Sequence, residues 1–287
     1  MTTTPYIFFG TSDFSIIVLE ELIAKNLLPS LVVTTPDKPK GRKLILTPPP
    51  VKTFADARGI PCLQPEELNE AFIDLIREKT KELQCPFFVL ASYGKILPKA
   101  LTDLPPNGIL NIHPSMLPKF RGASPIQSQI LADEKELGIT VMLMDEKMDH
   151  GPILAQEPHT PEVWPLSASV LHDELARKGG ALLAKSIPEY LSGEITPIEQ
   201  DHARATFCKK ITKSDGELNL TDDPYQNLLK VKALQGWPGT YFFVKKTDKT
   251  IRIKIVDAEL VEGVFTPTRV IPEGKKEMDY STFLSSQ

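Results

Sequence analysis

The sequence predicts an α/β fold, with a mostly parallel, Rossmann-like sheet and then a smaller β-rich module, on three observations. The chain opens strand–helix–strand, from Tyr6–Gly10 (YIFFG) through an apolar-periodic segment to Leu31–Thr35 (LVVTT), the order that builds parallel sheets. Two further runs, Pro86–Ala91 (PFFVLA) and Gly108–His113 (GILNIH), are short and continuously apolar, as in strands covered on both faces. From about Arg204 the texture changes to the alternating runs WPGTYFFV and TIRIKIVDA, so the expected division is 1–203 and 204–287.

Taken in order, Tyr6–Gly10 is the first strand, and Thr11 or Ser12 caps a helix whose apolar positions include Phe14, Ile17, Val18 and Leu22. The connecting FFGTSDF has one glycine where a dinucleotide fingerprint needs three, which argues against a nicotinamide site. Asp37–Lys52 (DKPKGRKLILTPPPVK) reads as a proline-studded loop. It carries Lys38, Lys40, Arg42, Lys43 and Lys52 against Asp37 alone, and is either a solvated basic loop or one that tracks phosphates. Val51–Arg58 is a helix ended by Gly59, Ile60–Gln64 a short strand, and Glu66–Glu82 an amphipathic helix with acids first and Lys79 and Lys81 last, as the macrodipole favours. Beyond the strand Pro86–Ala91 lies Ser92–Pro98, a strand-to-helix turn in which Gly94 supplies the backbone angles. Ala123–Leu131 is a helix with Pro125 in its first turn, Ile139–Met144 and Ile153–Glu157 are strands, and Leu166–Leu191 contains a long helix with Leu171, Leu175, Leu182 and Leu183 inward. In the second module a helix near Tyr225–Leu234 precedes the entry turn Gln235–Gly239. Only Glu259–Arg269 separates TIRIKIVDA from VIPEGKKEMDY.

Composition narrows the function classes. Hydrophobic residues at 41% and charged residues at 24% are those of an ordinary globular protein. No apolar run approaches the ~18–20 residues of a membrane helix, and MTTTPYIFFG has no basic region of the kind that opens a signal peptide. Three cysteines, Cys62, Cys85 and Cys208, lie far apart and form no CxxC pair. They read as reduced thiols of a cytoplasmic protein and not as a metal site. The net charge of −4 does not advertise nucleic-acid binding, but it is unevenly spread, with an acidic surplus in 1–203 and a basic surplus of three in 204–287.

The chemistry concentrates in Gly108–Pro125 (GILNIHPSMLPKFRGASP) and the later Met148–Pro152 (MDHGP). If 108–113 is a strand, its period of two puts Asn111 and His113 on one face at a strand end, where parallel sheets carry their active groups. Asp149, beyond the next apolar run, can reach the same spot. An amide to hold an oxyanion, with an imidazole and a carboxylate to move protons, suits transfer of an acyl-type group to an amine. Asp145 is the nearest decoy, His150 a second imidazole beside the site, His172 a structural residue, and His159 and His202 lie in loops with no partner in view. Each of the three main residues also has a plainer reading: a turn cap for Asn111, a core imidazole for His113, a turn residue before Gly151 for Asp149.

These residues carry a resemblance. The run Asn-x-His-Pro-Ser-x-Leu-Pro-x-x-Arg-Gly-Ala with its downstream Asp-x-Gly-Pro resembles the 10-formyltetrahydrofolate-dependent formyltransferases, and the similarity runs from about Tyr6 to about Tyr280. The resemblance implies catalytic Asn111, His113 and Asp149. It further implies folate contacts at Ser115, Met116, Leu117 and Pro118, with Ile96 and Leu97 against the folate ring system, and no metal. The chain looks most like the branch whose acceptor is methionine on initiator tRNA. That implies tRNA contacts at Lys38, Lys40, Arg42 and Lys43, and an OB-like second module, shortened here at Glu259–Arg269. Arg121 is expected to order its loop or the substrate backbone. The expected protein is a cytoplasmic monomer with folate and methionyl initiator tRNA as partners and no membrane. The alternatives are formylation of a sugar-nucleotide amine, a hydrolase releasing formate, and a non-catalytic folate- or tRNA-binding module. The basic loop argues against the first two and the intact trio against the last.

Overall fold

In the computed structural model, which describes residues 4–41, 43–245 and 249–285, the chain divides into two compact units. The first comprises the residues up to Arg121 together with Gly138–His159 and Asp173–Thr206. It holds a seven-stranded sheet in the spatial order Ile153–His159, Leu137–Leu143, Ile109–His113, Phe87–Ala91, Tyr6–Gly10, Leu31–Val33, Cys62–Leu63. Tyr6–Gly10 pairs in parallel with Leu31–Val33 on one side and Phe87–Ala91 on the other. Phe87–Ala91 pairs in parallel with Ile109–His113, and only the Leu137–Leu143 contact to Ile109–His113 is antiparallel among these pairings. The expected mostly parallel sheet with flanking helices is therefore present. Its middle strands are buried throughout, which is why they read as continuous apolar runs.

The helix after the first strand spans Asp13–Ala24, capped at Ser12, with Phe14, Val18, Leu19 and Leu22 buried. Buried Ser15 on that helix gives its hydroxyl to the Ala91 carbonyl at 2.6 Å and accepts from Thr11 N, pinning the helix start to the carboxyl ends of two strands. The third predicted helix, read as Glu66–Glu82, begins later than its charge pattern suggests, at Glu70. Asn69 Oδ1 accepts from Phe72 N at 3.1 Å and makes the cap there, while Lys95 Nζ holds the carbonyls of Pro65 and Glu66 in an extended lead-in. Gly94 has φ +80°, the left-handed angle its turn needs. The basic segment is a hairpin and not an irregular loop: Lys38–Lys40 pairs antiparallel with Ile45–Thr47. Gln64 ties its base through Thr35 O at 3.1 Å and Asp37 at 2.7 Å.

The second unit gathers Gly122–Leu137, Thr160–His172 and the chain from Phe207. Its sheet has four antiparallel strands, Thr240–Lys245, Thr250–Val261, Val264–Pro272 and Met278–Asp279, with the helix Pro224–Leu234 and a core including Leu228, Val231, Phe242, Ile253, Val270 and Phe283. The interval Glu259–Arg269 is not a bare connector. It is the tip of a long hairpin whose two-residue turn, Glu262–Gly263, has both φ values positive, as the right-handed twist of the arms requires.

Candidate active site

Strand Ile109–His113 supplies the first two groups. Its backbone is held on both sides, Asn111 lying opposite Leu90 on one neighbour and Met142 on the other, with His113 opposite Thr140. Asn111 and His113 are 6% and 4% exposed, two residues apart, and so share a face of the sheet at the carboxyl end of the strand. A carboxamide and an imidazole this buried are costly unless hydrogen-bonded, as His113 Nε2 is to the Phe120 carbonyl.

Asp149 arrives from the 144–152 connection, with φ +50°, an uncommon conformation for a residue with a Cβ. Its Oδ1 lies 3.5 Å from His113 Nδ1. The other ring nitrogen, Nε2, is 2.9 Å from the Phe120 carbonyl. A carbonyl can only accept, so Nε2 carries a proton, and in the neutral ring Nδ1 is the lone-pair nitrogen facing the carboxylate. Two acceptors facing each other repel unless a proton lies between them. The pair is thus built to receive one from a third group, or to hold one as imidazolium beside carboxylate. Of the two ring nitrogens, Nδ1 is the one that faces the carboxylate.

Of the other expected residues, Ser115 is fully buried and donates to Lys119 O at 2.6 Å, and Leu117 is buried with its N–H on Thr140 Oγ1 at 3.1 Å. Met116 and Pro118 are half-buried. Thr140 and Gln156, which the sequence did not single out, lock this loop: Thr140 Oγ1 donates to Ser115 O, and Gln156 Nε2 donates to Leu117 O at 2.8 Å. Leu97 packs in the core beside Tyr93, whereas Ile96 is 85% exposed. Lys38, Lys40 and Lys43 are all exposed on the hairpin, whose tip also exposes Leu44, Ile45 and Leu46; Arg42 lies outside the described residues. Among the described residues, no cluster of three or more His, Cys, Asp or Glu side chains is placed to hold a metal.

Two histidines, His159 and His202, differ from expectation. His159 is not in a loop but closes the strand Ile153–His159, with Nε2 2.7 Å from Glu174. His202 does have partners: its ring stacks on His150 at a centroid distance of 3.9 Å, and its Nδ1 accepts from Arg121 at 2.9 Å. His150 turns to Asp145, 2.6 Å away. The contacts of His159 with Glu174 and of His202 with Arg121 join segments 15 and 81 residues apart and so leave no local pattern in the sequence. The same holds for Gln200, which lies between Arg121 and the Asp149 turn. Arg121 donates to Gln200 Oε1 from Nη2 at 2.6 Å and from Nε at 3.2 Å. Burial lowers the pKa of its guanidinium, opposed by the carboxylates of Asp149 and Asp145.

The description "Formyl transferase" is that of the family model matching residues 6–185. A methionyl-tRNA formyltransferase of Chloroflexus aurantiacus is 41% identical over 92% of this chain and 84% of its own. Among solved structures, a methionyl-tRNA formyltransferase from Clostridium thermocellum superposes with a TM-score of 0.57 at 16% identity, covering 96% of this chain and 99% of that one. A sugar N-formyltransferase from a Shewanella species gives 0.65 at 18%, covering 90% and 99%. Structural likeness at such identities speaks for the fold alone, and the sequence relatives decide between the branches. With a formyl transferase model over most of its length and relatives of this kind across nearly all of it, the chain belongs to the methionyl-tRNA formyltransferase family.

Proposed function

We propose that this protein transfers the formyl group of 10-formyltetrahydrofolate to the free amine of methionyl initiator tRNA, and that Asn111, His113 and Asp149 carry the chemistry. The observation that supports the assignment of roles is the His113–Asp149 approach of 3.5 Å beside Asn111 on the same strand face. The attacking amine must be neutral. As its nitrogen bonds to the formyl carbon, a proton passes to the acceptor pair formed by Asp149 and His113 Nδ1. The formyl oxygen gains negative charge, and the Asn111 carboxamide donates to it, a contact that typically contributes ~2.7–4 kcal/mol to the transition state. Because a carboxamide does not titrate, it donates at every working pH. The carbon then releases the folate nitrogen, the proton goes to that leaving nitrogen, and tetrahydrofolate departs.

The donor rests against the loop Ser115–Pro118 with Ile96 and Leu97, and the acceptor's phosphates lie along Lys38, Lys40, Arg42 and Lys43. All the residues given roles lie in 1–203, which we take as the catalytic part, with 204–287 as an accessory module. The protein acts as a cytoplasmic monomer. The test is to offer the purified protein 10-formyltetrahydrofolate with charged initiator tRNA, and separately with amino-sugar nucleotides. N-formylation of the methionyl-tRNA is expected; formylation of the sugar amine alone, or release of free formate without transfer, overturns the reading.

A further inference from the structure

We infer that Gln200 is a positioning residue for the reaction: it fixes the backbone turn that aims the Asp149 carboxylate at His113. The inference rests on the proposed role of Asp149 and extends it to a residue 51 positions away in sequence.

The Gln200 amide is 5% exposed and both its ends are engaged. Nε2 donates to the Asp149 carbonyl at 3.0 Å and to the Gly151 carbonyl at 2.7 Å, while Oε1 accepts from Arg121 Nη2 at 2.6 Å and Nε at 3.2 Å. These partners fix the orientation of the amide. Turned over, its oxygen would face two carbonyl oxygens and its NH2 a guanidinium, and none of the four bonds would survive. The backbone brings it there by a separate route. Ile198 and Ile153 exchange N–H···O bonds of 2.8 Å in both directions, laying the 198–200 segment alongside the chain just after Gly151.

The turn has reason to need a brace. Asp149 sits at φ +50°, which disfavours a residue with a side chain, and at Gly151 a Cβ would overlap the carbonyl oxygen of Leu143. Strain of this kind persists only where surrounding contacts over-determine it. Gln200 bonds the carbonyls on both sides of His150, and the turn is clasped again by His150, which stacks on His202 and bonds Asp145. A shift of about 1 Å in the turn would carry the carboxylate out of reach of Nδ1, and misplacements of that size cost around 10²-fold in rate.

Gln200→Met keeps the length of the side chain and removes every hydrogen bond. Gln200→Glu keeps an acceptor for Arg121 but cannot donate to the two carbonyls. Both are expected to lower kcat by 10–100-fold with the KM for 10-formyltetrahydrofolate within about twofold, in soluble protein of unchanged circular dichroism. The decisive measurement is a cycle with Asp149→Asn. If Gln200 acts through Asp149, Asp149→Asn with Gln200→Met is no slower than Asp149→Asn alone. Multiplicative losses, or full activity in both Gln200 variants while Asp149→Asn is impaired, overturn the inference and leave the active-site reading standing. Full activity in Asp149→Asn removes the active-site reading, and this inference falls with it. If Gln200→Met does not fold, the cycle is run with Gln200→Glu; insolubility of both marks Gln200 as a folding residue and also overturns the inference.

Discussion

At the scale of single residues, the site depends on groups whose properties are set by what they cannot do. Asn111 cannot ionise, so its replacement should remove a donor and little else. Asn111→Ala is expected to lower kcat ~10²–10³-fold with little change in folate affinity, and steady-state kinetics alongside folate titration check both halves. Asp149→Asn should slow turnover without unfolding the chain, since the side chain faces His113 from a connection outside the core; thermal melts separate a slow enzyme from an unfolded one. A third residue-scale expectation concerns thiols. Burial pushes Cys62 and Cys85 up to about 11, so almost none of either is thiolate at pH 8. Alkylation of the native protein at these two positions should be slow at pH 8 and accelerate steeply as pH rises, read by mass spectrometry of peptides.

At the scale of elements, the hairpin Lys38–Lys40 with Ile45–Thr47 gives a two-stranded support to charges that would otherwise lie on a floppy loop. Neutralising Lys38, Lys40 and Lys43 should weaken tRNA binding and flatten its salt dependence, by roughly 2–3 in the logarithmic slope for ~3 lost phosphate contacts. An unaltered slope in a binding titration would remove the hairpin from the RNA interface. In the second unit, Asp133 joins three segments: its carboxylate accepts from Lys135 at 2.7 Å, Trp164 Nε1 at 2.7 Å and Tyr225 OH at 2.8 Å. Burial alone would raise its pKa, but these donors outweigh burial and bring it below the ordinary carboxylate value. A carboxyl lowered on folding stabilises above its unfolded pKa of ~3.9, and that stability is lost as pH falls through the lower folded value. Acid unfolding of this unit should thus include an Asp133 contribution below about pH 4. Asp133→Asn should abolish it and cost about 1–3 kcal/mol at neutral pH, measured by urea unfolding across pH.

At the scale of the whole molecule, packing and chemistry divide the chain differently. The residues assigned to catalysis all precede 204, whereas the second compact unit recruits Gly122–Leu137 and Thr160–His172 to the chain from Phe207. Within that unit the helices Pro125–Leu131 and Pro224–Leu234 pack together, and Tyr225 reaches Asp133. A fragment of 204–287 would leave that helix face and the Tyr225 hydroxyl without their partners. It should therefore show no cooperative thermal transition when expressed alone, whereas the full chain melts cooperatively; a sharp melt of the fragment would refute this account. The basic surplus after residue 204 remains a property of that stretch of sequence, not of a separately folding body.

Local patterns carried much of this. Continuous apolar runs announced the buried strands, period-two spacing put Asn111 and His113 on one face, and a motif of short spacing identified the chemistry, because strand faces and turns are decided within a few residues. The helix expected from Glu66 starts at Glu70 because the Asn69 cap outweighs the charge pattern, and the short Glu259–Arg269 stretch holds strand on both sides of a two-residue turn, a faint signal beside the long arms it joins. What the sequence by itself determined was the mostly parallel sheet, the family, and the strand face that Asn111 and His113 share. The tertiary structure alone decided which nitrogen of His113 faces Asp149, and that Gln200, Arg121, His150 and His202 converge around that turn. Those contacts join chain segments tens of residues apart, and their energy comes from proximity that only the folded chain creates.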